Sequence, residues 1–478
     1  MALSAKKLVF SPAVAALCLS GLLSACSLST PKPDQHLLDN NAATWQTNLP
    51  PSEKVDVAQN LSAWWDSWND ATLSQLQQVA QQQNQSLAQA TARIGQARAD
   101  AAAAGAALWP SVNLTASVTA GRNPQLLQTS KQTLAIAGLD AKWEVDLFGA
   151  VSVARRGVIA RLNARETEWH DARISLAAEV ANTYISLRVC EAQADLQQRA
   201  LQSQELAQQL TTRKAEAGFI SPLELAQQAA VVANVQTQLQ RQQSDCAVLV
   251  KSLVVLSTLS EAELRQMLSA RRGQLPQVSS FIVDAVPAKV LLQRPDLRAS
   301  LYNLTASAAE IGVAEARRYP SISLLGSINV FGVRIGDQTM RDSSWSFGPS
   351  LDLPLFDAGK RKAAVDGAQA RYAETLAAFR QQSLIAIREV EEAMVRLNTV
   401  NQHLQSYAAI EAANTKSLES AEAGVRFGSN SVLDKEDALR QQLSSQQQKL
   451  SLQRDQASAW IALYKAVGGD WKTTSTTE

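Results

Sequence analysis

The sequence predicts a mainly α-helical chain that also lends strands to a membrane β-barrel, with one structural unit built twice. Three observations carry this. No proline falls between Pro124 and Pro222 or after Pro354, which leaves room for helices of unusual length. Four short segments alternate apolar and polar residues with a period of two. Motifs recur in the same order along the two halves of the chain.

Composition narrows the function classes. Only 19% of the 478 residues are charged and the net charge is +1, so there is no electrostatic footprint for nucleic acid. The three histidines, His36, His170 and His403, lie too far apart for a helical metal pair. No P-loop, G-x-G-x-x-G or G-x-S-x-G motif occurs. The expectation is therefore no catalytic residue, no metal, no cofactor and no enzyme activity.

The N-terminus reads as an export signal over residues 1–25. Lys6 and Lys7 precede an apolar run from Leu8 to Leu23 that Pro12 interrupts, too short and too broken for a stable span. It ends in Leu23-Ser24-Ala25-Cys26, which resembles the bacterial lipobox, so Cys26 is expected to be lipidated. Ser27 rather than Asp follows, which in such lipoproteins implies sorting to the outer membrane. Residues 26–62 then form an acylated N-terminal segment. Nothing later offers ~20 continuous apolar residues, so any crossing of the membrane must use strands.

The repeat is read by adding 210. Leu87, Ala97, Ala104, Pro110 and Ser111 become Leu297, Ser307, Ala314, Pro320 and Ser321, while Gly218, Ser221, Leu223 and Glu224 become Gly428, Ser431, Leu433 and Asp434. Between them Leu147-Phe148-Gly149 answers Leu355-Phe356-Asp357 at an offset of 208, a small indel. The two copies span 63–282 and 283–470, with a tail at 471–478.

Each copy holds two alternating segments. In the first, Val112, Leu114, Ala116 and Val118 are one, and Leu139, Ala141, Trp143, Val145 and Leu147 the other. In the second they are Ile322, Leu324, Ile328 and Val330, then Trp345, Phe347, Leu351 and Leu353. Apolar residues on one face and polar on the other, over about ten residues, suit barrel strands. Four strands cannot close a barrel, since the smallest use about eight, so subunits must pool them.

After each strand pair comes a helix of some 67 residues, from about Val151 to Ala217 and from about Lys360 to Phe427. At 1.5 Å per residue each is ~100 Å long. Leu176, Val180, Thr183 and Leu187, and Ile387, Val390, Met394, Leu397 and Leu404, step by threes and fours as in a coiled coil. Each helix ends at a glycine suited to a left-handed cap, Gly218 or Gly428. Ser221-Pro222-Leu223-Glu224 is then a capping box and Ser431-Val432-Leu433-Asp434 a near equivalent, so the chain turns back into a second helix.

Cysteine spacing completes the residue reading. With Cys18 in the signal and Cys26 lipidated, Cys190 and Cys246 remain in an oxidising compartment. They lie 28 residues before and 28 after Gly218, hence at one level of the hairpin and in its apolar stripe. A disulfide is predicted.

Several motifs together resemble one family. They are Ala63-Trp64-Trp65, Leu87-Ala88-Gln89-Ala90 leading to Ala92-Arg93-Ile94, and Arg294-Pro295-Asp296-Leu297-Arg298-Ala299. To these add Trp143-Glu144-Val145-Asp146-Leu147-Phe148-Gly149 and Leu353-Pro354-Leu355-Phe356-Asp357-Ala358-Gly359. The set resembles the TolC-like outer membrane factors, within them the NodT-type efflux lipoproteins. The resemblance implies a homotrimer whose 12-stranded outer-membrane barrel is continued by a 12-helix periplasmic α-barrel. It also implies a passive exit duct for drugs or other small toxic solutes, seated in outer membrane lipid and met by a periplasmic adaptor and an inner-membrane efflux pump. Two alternatives stay open: a type I secretion duct for polypeptides, and a non-conducting strut that spans the periplasm.

The resemblance further implies a periplasmic gate at Asp434 and Asp437, six and nine positions after the second tip glycine. Asp434 also stands where a capping acid would. Adaptor docking is implied at the two tips: Gly218, Phe219 and Ser221, and Phe427, Gly428 and Ser431.

Overall fold

The computed structural model describes residues 45–47, 64–121, 131–281, 291, 293–335 and 338–471. The expected signal and Cys26 lie outside them. A 3-10 turn at Asp66–Trp68 precedes α1 (Ala71–Gln83) and α2 (Gln85–Ala106), then β1 (Ser111–Gly121) and β2 (Gln132–Val145). There follow α3 (Ala150–Glu216), α4 (Pro222–Ser257) and α5 (Glu261–Ser269). The second copy runs through α6 (Pro295–Ala316), β3 (Ser321–Ile335), β4 (Gln338–Asp352), α7 (Lys360–Arg426) and α8 (Val432–Ala466).

The repeat is visible in the element starts. β1 and β3, α3 and α7, and α4 and α8 all begin 210 residues apart, and α3 and α7 are both 67 residues long. The drift to 208 is local to the end of the strand pair. At the helix starts the equivalent left-handed residues are Gly149 (φ 75°) and Gly359 (φ 87°), so Asp357 is not the counterpart of Gly149.

The chain forms two compact units, each drawing on both copies. Among the described residues, one takes those within 94–165 and 299–379; the other takes those within 45–93, 166–298 and 380–471. The first holds a four-stranded antiparallel sheet in the order β1-β2-β3-β4. Leu114 pairs with Leu139, Leu139 with Ile328, and Ile328 with Trp345, so one apolar row crosses the whole sheet. The strands run 11, 14, 15 and 15 residues, longer than the segments that alternate cleanly. Pairing extends further because every N–H and C=O needs a partner, whereas alternation is written only where one face meets an apolar medium.

The second unit holds the main core. Trp64 stacks on Tyr464 at 4.9 Å and meets Trp68 and Phe281 edge-on at 5.1 and 5.3 Å, while its indole N–H donates to the Ser279 carbonyl at 2.9 Å. Along α3, Leu176, Val180 and Leu187 are buried, as are Val390, Met394 and Leu397 along α7, which is the coiled-coil stripe read from the sequence. Asp70 caps α1 by accepting from the Leu73 N–H at 3.1 Å and takes the Tyr184 hydroxyl at 2.9 Å. Burial pushes the Tyr184 phenol up to about 12.

Arg294 is the polar joint of this unit. Its nearly buried guanidinium donates twice to Asp296 at 3.0 and 2.8 Å, to Glu389 on α7 at 2.7 Å and to the Ala466 carbonyl that ends α8 at 2.9 Å. Burial alone would raise the Asp296 carboxyl, but Arg294 and the Gln382 amide hold it below its usual range. Arg294→Ala strands two carboxylates and a helix-end carbonyl, and should destabilise the fold by about 3 kcal/mol or more. Thermal melting of the purified protein checks this; an unchanged midpoint would mean that water replaces the guanidinium.

Candidate hairpin tips, gate and membrane wall

The first tip is set by backbone geometry. At the end of α3, Gly218 adopts φ 76°, with its N–H on the Ala215 carbonyl at 2.9 Å and the Phe219 N–H on the Lys214 carbonyl at 2.9 Å. These two bonds make a Schellman cap. Gly428 repeats it at φ 76°, its N–H reaching the Val425 carbonyl at 3.2 Å and the Ser429 N–H reaching Gly424 at 2.8 Å. No heavy atom lies within 4 Å of where a Cβ would stand at either glycine, so the sign of φ alone demands glycine there.

The helices restart through their caps. Ser221 accepts from the Glu224 N–H at 3.3 Å, with Pro222 in the first turn; Ser431 and Asp434 make both limbs of a capping box at 3.2 and 2.8 Å. The complete box is thus the second and not the first, Pro222 already fixing the first turn of α4. Between cap and cap the tips expose Phe219 at 80% and Phe427 at 87%. Each turn thus carries one solvated aromatic ring.

The two candidate gate acids differ in partner. Asp434 is occupied by its cap: the Ser431 hydroxyl and N–H, helped by Lys214, hold its carboxyl below the usual carboxylate range. Asp437 is exposed and forms an ion pair one turn on with Arg440, which also donates to Ser203 on α3 at 3.2 Å. The sequence reading missed Arg440, although an acid three residues before an arginine on one helix is a legible pair.

Higher up, Cys190 on α3 and Cys246 on α4 are joined in a disulfide, with Cα atoms 5.6 Å apart. A sequence separation of 56 makes the bridge worth about 4 kcal/mol in the chain-entropy account. Amides stitch the same helices to their neighbours: Gln197 to Gln238 at 3.1 Å, Gln447 to Gln197 at 2.9 Å, and Gln193 to Ser451 at 3.0 Å.

The sheet supplies the other candidate surface. Val112, Leu114 and Val118 of β1, Leu139 of β2, Ile328 and Val330 of β3, and Trp345 and Phe347 of β4 share one face and stand 48–80% exposed. From Val145 to Ala135 that face runs ten residues along β2, ~34 Å of strand or ~26 Å across a membrane at the usual tilt near 40°. This matches a barrel's apolar band. The opposite face carries Asn113, Thr115, Asp140, Ser327, Asn329 and Ser346, which suits an aqueous lumen. Among the described residues no helix is long and apolar enough to cross a membrane, and no group of three or more His, Cys, Asp or Glu could hold a metal ion.

These features recur in known proteins. The family model described as "Outer membrane efflux protein" matches residues 76–256 and 286–469. The chain is 29% identical to Nodulation protein T of Rhizobium leguminosarum bv. viciae over 465 residues, 95% of this chain and 93% of that one. It is 30% identical to the pyoverdine export outer membrane protein OpmQ of Pseudomonas putida over 480 residues, 96% and 98% of the two. Among solved structures, the outer-membrane channel OprN superposes with a TM-score of 0.79 at 28% identity, covering 93% of this chain and all of the other.

Two outcomes follow from the geometry. Mass spectrometry of non-reduced, alkylated protein should recover Cys190 and Cys246 in one cross-linked peptide pair; alkylation of both thiols in material purified without reductant would show the bridge absent. Gly428→Val strains a left-handed site by about 1 kcal/mol or more. It should lower efflux while subunit assembly persists, read by drug sensitivity beside native gels; loss of assembly would assign the glycine to folding instead.

Proposed function

Because the chain belongs to the outer membrane efflux protein family, we propose that three copies of it form the passive exit duct of a tripartite efflux system. The chain itself is an outer membrane efflux component with a periplasmic extension, related to channel proteins rather than to enzymes. The observation that carries the reading is the sheet with two open edges. Among the described residues β1 and β4 each pair on one side only, and a lipid-exposed edge leaves unpaired N–H and C=O groups that cost several kcal/mol each. The order β1-β2-β3-β4 is antiparallel throughout, so β4 of one copy meets β1 of the next antiparallel and the ring closes with an even strand count. Three copies give twelve strands and, from α3, α4, α7 and α8, twelve long helices.

In this reading Cys26 carries the lipid, residues 63–282 and 283–470 are the paired repeats, and the tips at Gly218 and Gly428 meet a periplasmic adaptor that couples the duct to an inner-membrane pump. Solutes would be drugs or other small toxic compounds. The solute in the name of the relative OpmQ, pyoverdine, belongs to that protein. Asp434 and Asp437 would form rings near the periplasmic end, where like charges repel one another and attract cations.

In planar bilayers the purified protein should conduct with cation preference. Asp437→Asn, which leaves the Ser431 cap intact, and the double change Asp434→Ala with Asp437→Ala should both weaken that preference, the double change more, and raise conductance. A wild-type protein that carries no current would leave a strut; variants identical to wild type would remove both acids from the gate.

A further inference from the structure

One seam inside the chain joins the two repeats. In the unit that holds the sheet, α2 lies beside α3, where a Cβ at Gly105 would stand 3.8 Å from the Arg155 Nε. α3 lies beside α6, where a Cβ at Gly157 would stand 3.0 Å from that of Ala309. α6 lies beside α7, where the Glu310 carboxylate takes the Arg371 Nε at 3.2 Å. The helices thus follow the order α2-α3-α6-α7, as the strands follow β1-β2-β3-β4. Among the described residues α2 and α7 are the outer members.

The seam from α3 to α6 is close and specific. Glycine at 157 lets the Ala309 methyl approach the backbone, and any larger side chain there would have to push it aside. One turn on, Arg161 forms an ion pair with Glu310. Ala160 and Ala306, on the same two helices, are buried.

The same four residue types stand on the outer helices. Adding 210 to the α3 positions gives Gly367 and Arg371 on α7, and subtracting 210 from the α6 positions gives Ala99 and Asp100 on α2. Here they are open. Within 4 Å of where a Cβ at Gly367 would stand, the described residues offer only the Arg371 Nη1 of the same helix, and Ala99 and Asp100 are exposed. Ala370 and Gln96, which answer the buried Ala160 and Ala306, are exposed as well.

A chain of two repeats that closes a ring uses one junction twice. Inside the chain it runs from the first repeat to the second, and between chains from the second repeat to the first. The face that α7 offers is the one α3 offers to α6, and the face that α2 offers is the one α6 offers to α3. Such a head-to-tail contact is complementary to a second copy of this chain and closes when its rotation divides the circle.

We propose that, in the ring of three chains inferred above, α7 of one protomer packs on α2 of its partner as α3 packs on α6 within the chain. Gly367 then lies against the partner's Ala99, and Arg371 bridges its own Glu310 to the partner's Asp100.

Full-length protein in mild detergent, carrying Gly367→Cys and Ala99→Cys in one chain, tests the contact. Cβ atoms as close as those of the inner seam suit a disulfide or a short bismaleimide bridge. Non-reducing gels should show chains linked into closed trimers, and either cysteine alone should leave single chains. Asp100 variants give a second measure. Asp100→Ala removes one half-exposed ion pair at each junction, so subunit dissociation should rise about fivefold at low salt and converge on wild type at high salt, while Asp100→Glu stays at wild type.

A cysteine pair that forms no link in a protein shown by light scattering to be trimeric would overturn the proposal and leave the duct standing. Dissociation of Asp100→Ala equal to wild type at low salt would overturn the contact between Arg371 and the partner's Asp100, whether or not the cysteine pair folds. Wild-type protein that stays monomeric and carries no current would end the duct reading and this junction with it.

Discussion

Backbone hydrogen bonding inside a hydrocarbon layer is the constraint on which the rest of this molecule depends. A sheet of four strands satisfies its interior ladder, Leu114 to Leu139 to Ile328 to Trp345, and leaves the outer sides of β1 and β4 without a partner strand among the described residues. In water an edge of that kind invites aggregation; in lipid it is forbidden. A chain with this sheet is therefore incomplete as a single copy. The repeat serves the same end, because two copies of a two-strand unit give an even strand number in any assembly and keep every junction antiparallel.

The helices solve a different problem, which is to hold long antiparallel contacts with few charges. Burying long stripes of large apolar residues along ~100 Å helices would leave sticky surfaces before assembly. The chain instead concentrates its large side chains in one region, where Trp64, Trp68, Tyr464 and Phe281 surround the ends of α1 and α8. Away from it, glutamine amides bond across helices at Gln193, Gln197, Gln238 and Gln447. An amide pair exchanges readily for water, so such a seam specifies register at small net energy. This is also why the composition is rich in glutamine and poor in charge.

Much of this was legible in the sequence because it is written in local periods. The 67-residue helices, the glycines that end them and the level shared by Cys190 and Cys246 follow from proline absence, cap chemistry and counting along a hairpin. What was not legible depends on partners far away in sequence or on pairing beyond the alternating band. Arg294 gathers Asp296, Glu389 and the Ala466 carbonyl, and no spacing rule links those positions. The outer ends of β2, β3 and β4 lose the alternation, so the sequence shows shorter strands than the ladder forms. The tip acids were legible as positions and not as partners, since whether Asp434 caps and Asp437 pairs depends on how the turn before them folds.

The two hairpins share a backbone plan and differ in what holds them. In the first, Cys190 and Cys246 are covalently joined, and Leu201 and Leu239 are buried nearer the tip. Adding 210 carries those four positions to Val400, Gln456, Glu411 and Lys449. There the Gln456 side-chain amide donates a hydrogen bond to the Asn401 Oδ1 at 2.8 Å and Lys449 forms an ion pair with Glu411 at 2.7 Å, both partly solvated. A disulfide that closes more than fifty residues and buried leucines hold in any salt, whereas a half-exposed ion pair is worth ~1 kcal/mol at most and is screened. Identical geometry thus rests on unequal cohesion. Separating α7 from α8 breaks no covalent bond, while separating α3 from α4 near Cys190 requires a reductant.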